Sequence, residues 1–235
     1  MPRQQQPPAR SARRRSYDQF CATARALDSV GDRWTLLIVR ELLAGPRRYT
    51  DLHADLPGVS TDVLASRLKD MEQSGLATRR RLPPPAAASV YELTERGQGL
   101  LPVLAALAEW GALAIGERRP TDAVRAHWFA LPLLRMLDGP AHEGVVEVHL
   151  DEGEFHVRVG GPADGEGVYG DGPAAHADAR IMLDVEVCLA LGRGECTLAE
   201  AVKDGRIEVV GEGPLAGELR GERPACDCCM TVVSE

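Results

Sequence analysis

The sequence lacks the features that mark a membrane or secreted protein. No run of 18 apolar residues occurs in its 235 residues, whereas a helix that crosses a bilayer needs about 20 of them. The first residues, MPRQQQPPARSARRR, contain no apolar segment of the kind found in secretion signals. We therefore expect a cytoplasmic protein with no membrane partner, in which residues 1–16 form a disordered basic arm.

The motifs of common enzyme classes are also missing. The sequence contains no G-x-S-x-G motif, no Walker loop and no pair of histidines at the spacing of a metal site. The glycines between 160 and 172 fit neither a dinucleotide-binding nor a phosphate-binding template. These absences predict a protein that is not an enzyme and that holds no cofactor.

The sequence has only six cysteines, and without a secretion signal they are expected to be reduced thiols. Three of them, Cys226, Cys228 and Cys229, lie in a predicted Cys-rich tail, residues 221–235. Their sulfur atoms suit Cu(I) or Zn²⁺, but the C-x-C-C spacing differs from that of structural zinc sites. Metal binding, disulfide chemistry and a tail without a role are the three alternatives.

Charge divides the chain into two unlike halves. Residues 1–119 contain 18 Lys and Arg against 13 Asp and Glu, a net charge of +5, whereas residues 120–235 contain 9 against 22, a net charge of −13. A basic half beside an acidic half indicates two units with different partners, and the partner of the first unit is expected to be a polyanion. The segment RRPTD at 118–122 is the expected boundary.

Apolar spacing and turn residues predict the elements of the first half. Two helices end at Gly31 and at Gly45-Pro46, a third is capped by Thr50, and a fourth is capped by Ser60 or Thr61. The segments LATRRRL and SVYEL predict two strands, and a long helix is expected from about Thr94 to Ile115. This order is typical of a winged helix-turn-helix.

The fourth helix has the pattern of a helix that reads DNA. Leu64, Leu68 and Met71 form one apolar stripe, and short polar or basic residues lie on the opposite side. Its acidic residues do not exclude this function, because flanking arginines can attract phosphate and an acid can read cytosine N4. An ordinary packed helix with a solvated face is the alternative. The candidate DNA-binding residues are Arg47, Arg48, Ser60, Thr61, Asp62, Ser66, Arg67, Lys69, Arg79, Arg80 and Arg81.

Several motifs together resemble the HxlR family of winged-helix transcriptional regulators, which are related to the MarR group. They are Cys21 near the start, Gly-Asp-Arg-Trp at 31–34, Pro-Gly-Val-Ser at 57–60 and Tyr-Glu-Leu-Thr at 91–94. The resemblance covers residues 17–116 and implies a homodimer that pairs through the first and last helices of this region. It also implies that Ser60, Thr61, Ser66, Arg67 and Lys69 face double-stranded DNA. Asp62 departs from the basic or amide residue that is usual there.

The same resemblance suggests a redox role for Cys21. Some regulators that resemble this sequence sense quinones or oxidants through a thiol at this position. Arg25, one helical turn away, is expected to lower the pKa of the thiol. The alternative is that Cys21 is a small buried core residue.

The second half predicts an α+β unit. Its pattern contains a helix opened by Thr121 and Asp122, the hairpin GVVEVHLDEGEFHVRVG, and further strands and helices. Residues 178–212 resemble the sterol-carrier (SCP-2-like) fold, which implies an apolar tunnel for a hydrophobic small molecule. The alternative is that the apolar residues only fill a core. The candidate ligand-binding residues are Trp128, Phe129, Leu133, Met136, Phe155, Val157 and Met182.

These observations predict an α+β protein in which a winged helix-turn-helix domain (17–117) precedes an SCP-2-like domain (122–220). The expected function is that of a homodimeric DNA-binding transcriptional regulator whose affinity for its operator responds to a hydrophobic effector. One alternative is a thiol-redox regulator that acts through Cys21 or the C-terminal cysteines. Another is a carrier of hydrophobic ligands.

Overall fold

A computed structural model describes residues 16–137, 141–160 and 167–222. Within these ranges the chain mixes helices with two sheets, one of three strands and one of five. The predicted α+β class is confirmed. Residues 1–15 of the predicted arm lie outside the described residues, as do Cys226, Cys228 and Cys229 of the tail.

The N-terminal part has the element order of a winged helix. Strand β1 lies between α2 and α3, strands β2 and β3 follow α4, and the three form an antiparallel sheet of order β1-β3-β2. Strand β1 was not predicted, because two residues are too short to show an alternating pattern. The elements are α1 (Ala22–Val30), α2 (Thr35–Leu43), β1 (Arg47–Arg48), α3 (Tyr49–Asp55), α4 (Thr61–Gln73), β2 (Ala77–Arg81), β3 (Ser89–Leu93), α5 (Glu95–Gln98) and α6 (Leu101–Ala112).

Two boundaries in this part differ from the prediction. Helix α3 begins at Tyr49, and its N-cap is Arg48 rather than Thr50. The predicted long helix is divided into α5 and α6, with Gly99 at the C-cap of the first helix. Pro102 in the first turn of α6 has no N–H to continue the hydrogen-bond ladder, so a break just before it costs little.

The C-terminal part is a five-stranded mixed sheet with helices packed on it. Its strand order is β6-β5-β4-β7-β8, in which β4 and β7 are parallel and the other neighbours are antiparallel. The elements are a 3-10 turn (Ala126–Phe129), α7 (Ala130–Met136), β4 (Gly144–Leu150), β5 (Gly153–Val159), β6 (Tyr169–Asp171), β7 (Ala179–Met182), α8 (Val185–Gly192), α9 (Leu198–Lys203), β8 (Glu208–Val210) and α10 (Pro214–Leu219).

The predicted hairpin is confirmed as β4 and β5, in which Val146 lies opposite Val157 and Val148 lies opposite Phe155. The predicted helix opened by Thr121 and Asp122 is wrong at its start. The Asp122 carboxylate instead accepts hydrogen bonds from Arg119, and regular structure begins at Ala126. Strand β6 and helix α10 were not predicted, since each is too short to carry a clear period.

Helix α6 joins the two parts. Its inner side packs against α7 and α8 of the C-terminal part, and it contains Ala105, Ala108 and Ala112, whose small side chains permit close approach. Its outer side leaves Val103, Leu107 and Trp110 exposed. The buried residues of the two parts form one continuous hydrophobic cluster. Helix α6 therefore connects α2 of the N-terminal part to α7 and α8 of the C-terminal part.

Candidate nucleic-acid interface

Helix α4 is anchored on one side and capped at its start. Leu64, Leu68 and Met71 are buried in the core, as their helical spacing predicted. The Ser60 hydroxyl accepts a hydrogen bond from the Val63 N–H at 3.4 Å and so caps the helix. The Tyr49 hydroxyl donates to the Thr61 carbonyl at 2.7 Å, which ties α3 to the first turn of α4. The helix is thus held firmly while its other side remains open.

The open side of α4 carries the short polar residues. Thr61, Asp62, Ser66 and Lys69 are all exposed. The first-turn N–H groups lie at the same end, where the helix dipole favours phosphate. Asp62 opposes phosphate at this position, although its carboxylate is an acceptor suited to the cytosine amino group. This face therefore has the chemistry to contact both backbone and base edges.

Arg67 does not belong to this open face. Its Nη1 atom lies 3.2 Å from the Asp32 carboxylate and 3.1 Å from the Asp70 carboxylate. Asp32 precedes α2, so the ion pair connects α4 to the loop at residues 31–34. In this arrangement Arg67 positions the helix, and its guanidinium is already engaged.

The wing, which is the hairpin of strands β2 and β3, supplies further positive charge beside α4. Arg79 and Arg81 alternate with Arg80 along β2, so the first two share a face of the sheet. The Arg79 guanidinium lies 5.9 Å from the centre of the Tyr91 ring. Arg80 Nε binds the Glu92 carboxylate at 2.8 Å but keeps its side chain half exposed. All three arginines are within reach of solvent, as a contact with a phosphate backbone requires.

The two arginines of β1 have different surroundings. Arg48 is exposed. Both Nη atoms of Arg47 lie 3.1 Å from Oδ2 of Asp171 on β6, and only 15% of the Arg47 side chain is exposed. The local sequence does not reveal this difference between Arg47 and Arg48, because Asp171 is 124 residues away along the chain.

The predicted ligand-binding residues are spread over the C-terminal part. Leu133, Phe155 and Val157 have no exposed surface and belong to the core, and Trp128, Phe129 and Met182 are partly buried. Met136 lines a cleft of about 190 Å³ between α6, α7 and the end of α8. Leu113 and Leu191 supply apolar lining there, and an ion pair between Arg135 and Glu109 borders the cleft.

Cys21 is exposed at the N-cap of α1, contrary to the alternative of a buried core residue. The backbone N–H groups of Ala24 and Thr23 lower the pKa of its thiol. The expectation that Arg25 lowers this pKa is wrong, because the Arg25 guanidinium is directed to Asp28 and Ser16. Burial raises the pKa of the Cys188 thiol to about 12, which suits a structural residue.

One cluster has the composition of a metal site but a different role. Glu147, His149 and Glu154 place their ligand atoms within 4.8 Å of one another. Glu147 Oε1 already accepts from His149 at 2.6 Å and from Arg180 at 2.8 Å, and its Oε2 accepts from the Ala174 N–H at 3.1 Å. The Arg180 guanidinium thus forms an ion pair with the Glu147 carboxylate. The cluster is therefore an ion-pair network of the sheet.

The capped helix with an open polar face, beside an arginine-rich wing, is the architecture of a winged helix-turn-helix DNA-binding protein. Residues 29–119 match the family described as HxlR-like helix-turn-helix. The chain belongs to this family of transcriptional regulators. No helix in the described part of the chain is long and apolar enough to cross a membrane.

Two curated relatives come from Bacillus subtilis (strain 168). The uncharacterized HTH-type transcriptional regulator YvaP is 37% identical over 86 residues, which are 37% of this chain and 80% of YvaP. The HTH-type transcriptional regulator YodB is 35% identical over 85 residues, which are 36% of this chain and 76% of YodB. A structure of the reduced form of YodB aligns with a TM-score of 0.36 and 33% identity, covering 40% of this chain and 92% of that one.

Proposed function

We propose that the protein binds an operator as a homodimer, with α4 in the major groove and the β2–β3 wing along the phosphate backbone. The observation that carries this proposal is the exposed polar face of α4, with its capped N-terminus, beside the arginines of β2. The proposed contacts are Arg48, Ser60, Thr61, Asp62, Ser66, Lys69, Arg79, Arg80 and Arg81. Arg47 and Arg67 are assigned a positioning role, since carboxylates already hold them.

Dimerisation is supported by the outer side of α6. Val103, Leu107 and Trp110 are exposed there, and 79% of the Trp110 surface is accessible. Apolar residues that recur on one side of a helix mark an interaction surface. We assign this surface, together with α1, to the partner copy. A two-fold axis then presents two copies of α4 to half-sites about 34 Å apart or a multiple of that distance.

The test begins with selection of binding sequences from randomised duplexes. Fluorescence anisotropy then measures the affinity of the protein for the selected duplex. Lys69→Ala is expected to weaken binding, and Arg79→Ala is expected to reduce the steepness of the salt dependence by about one unit. Lys203→Ala on α9, far from the proposed interface along the chain, is the matched control. Selection that yields no preferred duplex would overturn the proposal.

We further propose that a hydrophobic small molecule modulates this binding from the C-terminal part, which we assign to the SCP-2-like class. The cleft at Met136 supports a location, because it adjoins the inner side of α6 while the outer side faces the proposed partner. A ligand there changes DNA affinity only if it binds one dimer geometry better than the other. About 3 kcal/mol of difference changes the affinity roughly 100-fold.

The effector proposal is tested by repeating the DNA-binding assay with pools of hydrophobic metabolites. A Met136→Trp variant, which fills the cleft, is expected to bind DNA but to lose the response to an active pool. Val210→Ala, on strand β8 outside the cleft, should keep the response. An active pool that affects both variants and the parent protein equally would exclude the cleft as the site.

A second candidate is regulation through Cys21, which its exposure and lowered pKa favour. DNA binding would then depend on reductant in the parent protein and in a Cys196→Ser control, but not in Cys21→Ser. A carrier function is a third candidate. It would be favoured if the protein retained hydrophobic ligands and selected no duplex.

A further inference from the structure

A buried histidine connects the two parts of the chain. His127 lies in the 3-10 turn that begins the C-terminal part, and 2% of its surface is exposed. Its Nε2 atom is 2.7 Å from Oε2 of Glu41 on α2, in the winged helix. Its Nδ1 atom is 3.1 Å from Oδ1 of Asp171 at the end of β6. The imidazole ring therefore bridges a carboxylate of the DNA-binding part and a carboxylate of the C-terminal part.

This geometry requires a charged histidine. An ionised carboxylate can only accept hydrogen bonds, so both ring nitrogens must donate. Neutral imidazole has a single N–H and would set a lone pair of its other nitrogen against a carboxylate oxygen. The two contacts are satisfied together only by the imidazolium form.

The surrounding groups keep both carboxylates ionised. Glu41 Oε1 accepts hydrogen bonds from Arg40 Nη2 at 2.7 Å and from the Trp128 indole N–H at 2.9 Å. Asp171 Oδ2 accepts from Arg47. The pKa of Asp171 is lowered to about 2, and the hydrogen bond from His127 is the largest cause of this shift. Glu41 likewise has a lowered pKa, because the hydrogen bonds and positive charges of His127 and Arg40 outweigh the opposing effect of burial.

His127 is the group at this junction that titrates nearest to neutral pH. Burial by itself lowers its pKa, but the hydrogen bonds and charges of Asp171 and Glu41 outweigh burial and raise the pKa above its ordinary value. Tyr169 also faces the junction, where its hydroxyl donates to the Arg40 carbonyl at 2.6 Å. Burial raises the pKa of Tyr169, so it remains neutral. The guanidinium groups of Arg40 and Arg47 also face the junction, where they donate to Glu41 and Asp171.

We propose that protonated His127 fastens the C-terminal part to the winged helix, and that loss of this proton in alkaline solution loosens the attachment. The sign follows from linkage, since a group whose pKa is raised by folding stabilises the folded form fully below its unfolded pKa of about 6.5. That stabilisation is lost as the pH rises through the folded-state pKa. Because Asp171 also holds Arg47 of β1, which pairs with β3, the change extends to the sheet of the wing.

The proposal goes beyond operator binding, and its test needs no DNA. The ring resonances of His127 and the indole N–H resonance of Trp128 are followed by NMR in the full chain from acid to alkaline pH. The expected result is a His127 pKa above 6.5, with the Trp128 resonance moving in step with it. A His127 ring that is already neutral at pH 6.5 would overturn the proposal.

The Asp171→Asn variant tests whether the Asp171 carboxylate keeps His127 protonated. An amide at this position can donate to neutral imidazole, so the requirement for imidazolium disappears. The pKa of His127 is then expected to fall by about one unit or more, and the alkaline decrease in the urea unfolding midpoint should shrink. His149→Gln is the matched control, because His149 also contacts two carboxylates but entirely within the β4–β5 hairpin. If the urea unfolding midpoint decreased equally in alkaline solution for the parent protein, Asp171→Asn and His149→Gln, the proposal would be contradicted.

Discussion

At the scale of single residues, Glu41 is a charged side chain in a buried position that the neighbouring sequence would assign to an apolar residue. It is fully buried in the segment TLLIVRELL, where its neighbours predict an apolar face. A buried carboxylate is tolerated only when donors surround it. Arg40 donates from the next position in the chain, whereas His127 and Trp128 come from 86 and 87 residues away.

Replacement of Glu41 is expected to be costly. Glu41→Gln leaves the buried His127 cation without one of its partners, and we expect the free energy of unfolding to fall by about 3 kcal/mol. Urea denaturation at pH 6 measures the change, and Glu72→Gln on the exposed side of α4 is the control. Similar stabilities for the two variants would show that the junction contributes little.

Cysteine labelling provides a second test at this scale. The exposed Cys21, with its lowered pKa, should react with iodoacetamide in the folded protein, whereas Cys188 should react only after unfolding. Peptide mass mapping separates these two sites from the other cysteines. Rapid labelling of Cys188 under native conditions would contradict the core position assigned to it.

At the scale of elements, α5 is held close to the end of α4 and the wing. Thr94 caps α5 by accepting from the Gly97 N–H at 3.2 Å and donates to the Gly75 carbonyl at 2.6 Å. A Cβ atom at Gly97 would collide with the Leu76 carbonyl oxygen, which is backbone and cannot move aside. The approach of α5 therefore depends on glycine at this position.

Gly97→Ala is expected to destabilise the fold by about 1–3 kcal/mol, the range for overpacking. Thermal unfolding followed by circular dichroism measures the effect. Gly116→Ala is the control, because no atom beyond its two neighbours in the chain lies within 4 Å of a Cβ placed there. A Gly97→Ala protein as stable as this control would mean that α5 can shift without cost.

At the scale of the whole molecule, the outer side of α6 leaves Val103, Leu107 and Trp110 exposed in the single chain. Trp110→Glu would place a charge in the proposed interface, where its desolvation is unfavourable. We expect this variant to be monomeric at concentrations at which the parent protein is a dimer. Analytical ultracentrifugation measures the state, and Ala123→Glu in the exposed connection is the control. A parent protein that is itself monomeric would exclude the proposed pairing.

The free energy of unfolding should also decrease in acid, because Asp171 at the junction becomes protonated. The pKa of Asp171 is lowered to about 2 from an ordinary value of 3.8, so its contribution is present above the ordinary value and is lost as the pH falls toward 2. Urea midpoints of the parent protein should therefore decrease between pH 4 and pH 2, and Asp171→Asn should reduce this decrease. An unchanged decrease in the variant would assign acid sensitivity to other carboxylates.

The sequence by itself determined many of the helices and strands and the polar face of α4, but not the start of every helix or the shortest elements. The stripe of Leu64, Leu68 and Met71, the cap at Ser60 and the alternation in the β4–β5 hairpin depend on neighbours a few residues away. Periodicity and capping act over that distance, so they can be read directly from the chain.

Only the tertiary structure decided which of the arginines remain open and how the two parts join. In the sequence, Arg47 and Arg67 looked equivalent to Arg48 and Lys69. In the structure, the Asp171 carboxylate binds Arg47 and the Asp32 carboxylate binds Arg67. The proposed charge of His127 depends on two carboxylates that folding brings to opposite sides of one ring. Such contacts join segments far apart in the chain, and in a low-dielectric interior they are strong enough to fix a residue's charge and its role.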